Sequence, residues 1–144
     1  MKIALIGLPQ TGKKAVFSLL TGTGYDHLIA RGADFHVGIC KVADPRIDKL
    51  SAMYNPKKTK YAEIECTLAP APPHETKPRE QWLNKLKDMD AFCHIVRGFE
   101  DPAVFHINGS VDALRDIDAM NFELAISDLS LIETRLNQIG RAHV

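Results

Sequence analysis

The sequence predicts an α/β domain of three layers, with helices on both faces of a mostly parallel sheet and one antiparallel edge strand. Three observations carry that expectation. The apolar run Ile3-Ala4-Leu5-Ile6 passes into the glycine-bounded loop Gly7-Leu8-Pro9-Gln10-Thr11-Gly12-Lys13-Lys14, which opens a helical pattern at Ala15-Val16-Phe17-Ser18-Leu19-Leu20. Strand-like and helix-like runs then alternate along the chain. The strand-like runs at 36–42 and 61–68 are separated by only a short helix, so they are expected to pair as a hairpin.

Composition fits a single domain over residues 1–144, large enough for one proper core. The chain is 45% apolar and 25% charged, an ordinary globular balance. Its 18 Lys and Arg match its 18 Asp and Glu, so charge alone gives no support for general nucleic-acid binding, and no DNA partner is expected. No apolar run approaches the ~18 residues of a membrane span. Met1-Lys2 leads straight into a strand-like run with no small-residue cleavage site, so no signal peptide is expected. Cys40, Cys66 and Cys93 are an odd, widely spaced set, each in a strand-like run. They read as buried reduced thiols of a cytoplasmic protein rather than a disulfide framework or zinc knuckle.

The elements follow in order. Lys2 to Gly7 reads as a buried central strand, short and continuously apolar. The first helix runs from Gly12 or Lys13 to about Thr21, with Val16, Phe17, Leu19 and Leu20 as its apolar face and Gly22 and Gly24 as its stop. Tyr25 to Phe35 has weak periodicity and reads as a surface loop. Residues 36–42 alternate as a strand. Asp44-Pro45 opens a short helix with apolar positions at Ile47, Leu50 and Met53, ended by Asn55-Pro56. Lys57, Lys58 and Lys60 read as a solvated edge, with phosphate or RNA contact as the alternative.

In residues 61–68, Ala62, Ile64, Cys66 and Leu68 alternate with polar residues, the pattern of a half-buried strand. Residues 69–78 hold four of the eight prolines, including Pro70, Pro72 and Pro73, and form neither regular helix nor strand. Pro78 to Met89 reads as a helix with Trp82, Leu83 and Leu86 inward, and Thr76 or Lys77 in the cap region. Residues 90–97 read as another buried strand, with His94 a core or edge histidine rather than a ligand. Residues 98–102 form a turn. A long amphipathic helix follows over 110–139, with Ser110 or Asp112 as cap, room for an interruption near Asn121, and Gly140 as its stop.

The loop at 7–14 is a phosphate cradle in its chemistry. Glycines let the backbone wrap an anion, successive N–H groups point inward, and the helix N-terminus adds positive potential. Gly7, Pro9, Gln10, Thr11, Gly12, Lys13, Lys14 and Ala15 are the candidate phosphate-binding residues, with Lys13 placed to reach the β- and γ-phosphates. The pattern asks for Ser or Thr after the lysine, to ligate Mg²⁺, and this chain has Lys14. Two cations in the first helical turn cost roughly 0.3–1 kcal/mol each, a cost that a bound anion reverses. Lys14 is therefore expected to offer its ammonium to phosphate or sulfate in partial place of Mg²⁺, the alternative being a solvent-pointing side chain. No metal ligands or catalytic residues are assigned. Asp44, Asp48, Glu63, Glu65 and the six histidines form no nucleophile–base spacing.

Four segments together resemble the YchF-type members of the Obg-like P-loop GTPase/ATPase family: residues 1–12 (MKIALIGLPQTG), 37–58 (VGICKVADPRIDKLSAMYNPKK), 90–101 (DAFCHIVRGFED) and 109–136 (GSVDALRDIDAMNFELAISDLSLIETRL). The resemblance implies a P-loop NTPase-like G domain that binds ATP or GTP, with contact to the ribosome. It also implies that the chain stops before the family's coiled-coil insertion and base-reading motif. Where the family carries Ser after the loop lysine, this chain has Lys14. Where its second switch carries Asp-x-Ala-Gly, this chain has Leu68-Ala69-Pro70-Ala71. Two parts of the family's Mg²⁺ site are thus missing, so Mg²⁺ binding is doubtful and nucleotide hydrolysis is expected to be weak or absent. The alternative is a pseudo-GTPase, the same fold kept as a scaffold for protein, ribosome or RNA without nucleotide.

Overall fold

A computed structural model describes residues 1–73 and 75–141, so His74 in the proline-rich segment lies outside the described residues. The chain divides into two compact units, Met1–Ile95 and Val96–Val144. The first holds β1 (Lys2–Ile6), α1 (Lys13–Thr21), α2 (Tyr25–Ala30), β2 (His36–Val42), α3 (Pro45–Tyr54), β3 (Ala62–Leu68), α4 (Thr76–Leu86) and β4 (Ala91–His94).

The four strands form one sheet in the order β2-β3-β1-β4. β1 pairs in parallel with β3 and with β4, while β2 pairs antiparallel with β3, so the expected antiparallel edge strand is present. β1 is central, and its apolar run is explained by burial on both faces: Ala4, Leu5 and Ile6 are all inaccessible. Leu5 packs with Cys66 and Leu68 of β3, Phe17 of α1 and Leu28 of α2 in one hydrophobic cluster. Each large apolar side chain buried there contributes about 1.5–3 kcal/mol.

α1 crosses β2 at Gly38. A Cβ built there would lie 2.7 Å from Thr21 Cγ2 and 3.0 Å from Phe17 Cζ, so only hydrogen fits between helix and strand. The helix ends as expected, with Gly22 in the left-handed conformation (φ 70°) and its N–H donating to the Ser18 carbonyl. α3 begins as the sequence requires, Pro45 following Asp44, whose carboxylate accepts from the Arg46 N–H.

Several expectations are corrected. Residues 25–30 are helix rather than loop; Leu28 docks that short turn into the core. α1 buries Phe17 and part of Val16, while Leu19 and Leu20 are exposed, so its inward face is narrower than its composition. Leu50 and Met53 of α3 are also exposed, and the helix buries none of its residues. Its anchors are polar instead: Ser51 and Thr59 hydroxyls share a 2.6 Å bond, and the Tyr61 hydroxyl donates to Asp48. α4 starts and ends earlier than Pro78 to Met89. β4 is shorter than 90–97 and half-exposed at the sheet's other edge, which leaves Cys93 at the surface, Cys40 half-buried and only Cys66 buried.

In the second unit, α5 (Ala113–Arg141) is one uninterrupted helix through Asn121 and through Gly140, where a stop was expected. Asn and Gly are weak helix formers that the hydrogen-bonded ladder tolerates. The segment before α5 is built around polar hubs. The buried Arg97 guanidinium donates to the carbonyls of Phe99 (3.0 Å), Val104 (2.9 Å), Asp101 (3.3 Å) and Phe105 (3.4 Å), and stacks on the Phe99 ring. At the helix start the buried Asp116 carboxylate accepts from His106 Nε2 (2.9 Å), Asn108 Nδ2 (3.2 Å) and Arg115 Nη2 (3.0 Å). The Asn108 N–H donates to His106 Nδ1, which assigns the ring proton to Nε2. Burial raises the Asp116 pKa, but the bonds from Arg115, Asn108 and His106 outweigh it and hold the carboxyl below the usual range.

Candidate nucleotide site

The site is made where β1 ends and α1 begins. Gly7 has φ 147°, and a Cβ there would overlap the carbonyl oxygen of Ile95, so the chain can leave the sheet at this point only through glycine. Gln10 takes a left-handed conformation at φ 58°, and Gly12 caps α1 at φ 91° with no side-chain cap. The first turn of α1 has no acidic residue, so its positive end is uncompensated by local side chains. Thr11 is buried and its hydroxyl donates to the Leu8 carbonyl at 3.1 Å.

Lys13 lies beneath the loop. Its ammonium donates to the carbonyls of Gly7 and, at 2.8 Å, of Leu8, tying the loop's first turn to the helix. Burial lowers its pKa from 10.5 to about 8. Lys14 does not point freely to solvent. Its ammonium donates to the Leu28 carbonyl at 2.9 Å and the Gly32 carbonyl at 3.1 Å, fastening α1 to the end of α2. The neighbouring His36 imidazole has its pKa lowered by burial and by the charges of Arg31 and Lys14, against an opposing pull from Asp34.

A cleft of about 340 Å³ opens over the loop, lined by residues 9–14, Tyr25, residues 32–34 and residues 68–71. Of the predicted residues, Pro9, Gln10, Thr11, Gly12, Lys13 and Lys14 line it, Gly7 is its backbone pivot, and Ala15 is exposed on α1 outside the lining. Tyr25, Gly32, Ala33 and Asp34 were not anticipated. Six residues of helix are too short to show a period, and the signal available was the single inward Leu28 between Gly24 and Gly32.

The opposite wall is apolar. Leu68 is at once the end of the wall and a member of the hydrophobic cluster. Ala69 is fully buried, its N–H donating to the Leu5 carbonyl at 3.0 Å. The Trp82 indole donates to the Pro70 carbonyl at 3.0 Å, so α4 holds the 68–71 wall in place. Asp34 is the one carboxylate in the lining, and among the described residues no three His, Cys, Asp or Glu side chains converge as a metal site.

A central strand, a glycine-pivoted loop, a lysine folded beneath it and a helix N-terminus facing a cleft define a P-loop NTPase-like domain. No family model matches the chain. Relatives named ribosome-binding ATPase YchF do: that of Bacillus subtilis is 32% identical over 148 residues, covering 95% of this chain and 39% of the relative. That of Buchnera aphidicola is 34% identical over 151 residues, covering 97% and 40%. The solved structure of the Schizosaccharomyces pombe YchF GTPase superposes with a TM-score of 0.74 at 25% identity, over 98% of this chain and 39% of that one. The chain is similar to the YchF-type Obg-like P-loop GTPases, and it spans about two-fifths of the length of these relatives.

Proposed function

We propose that this chain binds a purine nucleotide, ATP or GTP, through its phosphates and hydrolyses it weakly or not at all. The observation that carries the reading is the open cradle: loop residues 9–14 and the uncompensated α1 N-terminus face a cleft of about 340 Å³, with Lys13 under the loop. Backbone N–H groups and a helix end attract an anion whatever base is attached. The relatives' printed descriptions, ATPase and GTPase, support the nucleotide as that anion.

The residues present do not fit a tightly held Mg²⁺. Lys14 stands where the family's hydroxyl ligand stands, and its ammonium is already shared by two carbonyls. Leu68 stands where the family's carboxylate stands, and it is part of the apolar core. Phosphoryl transfer depends on charge neutralisation at the triphosphate, so an apolar wall supports binding without efficient cleavage. The relatives' name also supports the ribosome as a partner, and at the sheet's β2–β3 end Lys41, Lys58 and Lys60 outnumber Glu63, the partner of Lys41 across the strands, in a recess beside Tyr61 whose net positive lining suits RNA phosphate.

Calorimetric titration with ATP, GTP and ADP, each with and without Mg²⁺, tests the reading. Binding that survives Mg²⁺ removal and is lost in Lys13→Ala is expected. No heat with any nucleotide would favour the scaffold alternative, and rapid Mg²⁺-dependent release of phosphate would refute the degraded site.

A further inference from the structure

The two walls of the cleft over the loop suit different phosphates. In a phosphate loop the main-chain N–H groups cradle the inner phosphates, while the terminal one depends on the metal, its ligands and the facing segment. The first set is intact here. The loop pivots on Gly7, Gly12 opens α1, and no acid stands in the first turn of that helix. Lys13 is buried beneath it, tied to the carbonyls of Gly7 and Leu8.

The second set is missing or already engaged. The Lys14 ammonium is shared by the carbonyls of Leu28 and Gly32. Across the cleft, the Leu68 side chain belongs to the hydrophobic cluster. The Ala69 N–H is spent on the Leu5 carbonyl, and Pro70 has no N–H to offer. Asp34 completes the lining at an exposed position, its carboxylate accepting from the Phe35 N–H at 2.7 Å. A third phosphate would therefore bring more negative charge to an apolar wall and a carboxylate. Tyr25, also exposed in the lining, gives the cleft an aromatic surface that a nucleoside can cover.

We propose that the cradle selects a nucleoside diphosphate over the corresponding triphosphate, with Asp34 and the apolar wall rejecting the third phosphate. This rests on the nucleotide reading above and adds to it the number of phosphates held. Calorimetric titration of the full chain with ADP and ATP, GDP and GTP, and pyrophosphate and tripolyphosphate, each with and without Mg²⁺, tests it. In each pair the diphosphate is expected to bind about ten-fold more tightly under both conditions, and ADP and GDP more tightly than pyrophosphate. Asp34→Asn, which keeps an acceptor for the Phe35 N–H, is expected to tighten the triphosphates about three-fold and leave the diphosphates unchanged, and Asp34→Lys to tighten the triphosphates further.

A triphosphate that binds as tightly as its diphosphate, or becomes the tighter of the two when Mg²⁺ is added, overturns the preference and leaves the nucleotide reading standing. A gap that both Asp34 variants leave unchanged overturns the assignment to Asp34. Pyrophosphate bound as tightly as ADP and GDP overturns the nucleoside as part of the ligand. Absence of binding by all six ligands overturns the nucleotide reading itself, and this preference with it.

Discussion

Lys13 makes the proposed anion site sensitive to pH in a range where most lysine sites are flat. Its pKa in the free protein is lowered to about 8 by burial beneath the loop. An anion in the cradle favours the ammonium form, so the bound protein holds its proton to higher pH than the free protein does. Affinity is therefore full below about pH 8 and falls as pH rises above it, by up to tenfold per unit until the bound form also deprotonates. From about pH 7.5 to pH 9.5 the protonated fraction of free Lys13 drops roughly 25-fold, equivalent to about 1.9 kcal/mol of binding free energy. The phosphates of ADP change little over that range, so ADP titrations by calorimetry isolate the lysine. Repeating them in two buffers of different ionisation enthalpy measures proton uptake directly, expected near pH 8.5. Lys13→Arg, permanently charged, is expected to bind with no pH dependence over the same interval. Affinity of the unmodified chain that stays level to pH 9.5, with no proton taken up, would refute the argument.

Three further outcomes follow from the structure. Because the folded pKa of Lys13 lies below the unfolded value of 10.5, the unfolded chain binds more protons between the two, and stability of the ligand-free chain rises as pH increases from about 8, a trend absent in Lys13→Met and readable from urea midpoints. Gly38→Ala forces Thr21 and Phe17 of α1 away from β2 and is expected to cost about 1–3 kcal/mol, while Thr21→Ser, which removes the methyl in the way but keeps the hydroxyl bonded to Phe17, recovers about 1 kcal/mol of that in a double-mutant cycle; strict additivity would contradict the close approach. Asp116→Asn leaves the donors of His106 and Arg115 facing an amide and is expected to cost about 2–4 kcal/mol. Since the Asp116 pKa is depressed, its contribution is complete above the unfolded value of 3.8 and vanishes as pH falls through the folded one, so acid unfolding of the variant should begin from a lower plateau with a shallower slope.

The strand–loop–helix core of the fold was legible because its signals are local. An apolar run ending in Gly7, a lysine one residue into a helix and a glycine at its end each fix backbone geometry within a few residues. The β2–β3 pairing was legible for the same reason, through alternation on both sides of a short helix. What escaped was set by partners distant in sequence. Leu19, Leu50 and Met53 look inward by type, yet all three are exposed. Residues 25–30 form a helix because Leu28 finds the core and because Lys14 binds the carbonyls at its end. The role of Lys14 was visible only as a disagreement with a pattern; its two carbonyl acceptors lie 14 and 18 residues downstream, beyond any local rule.

Arg97 shows what side-chain contacts to main-chain oxygens impose. Its guanidinium is enclosed by main-chain oxygens from residues 99–105, so the path of that stretch is moulded to a flat, forked cation instead of to a greasy side chain. An ammonium is a point charge with three donors and cannot span acceptors arranged around a plane. The bend ahead of α5 can thus be redrawn in sequence at nearly every exposed position, but not at the one residue that serves as its template.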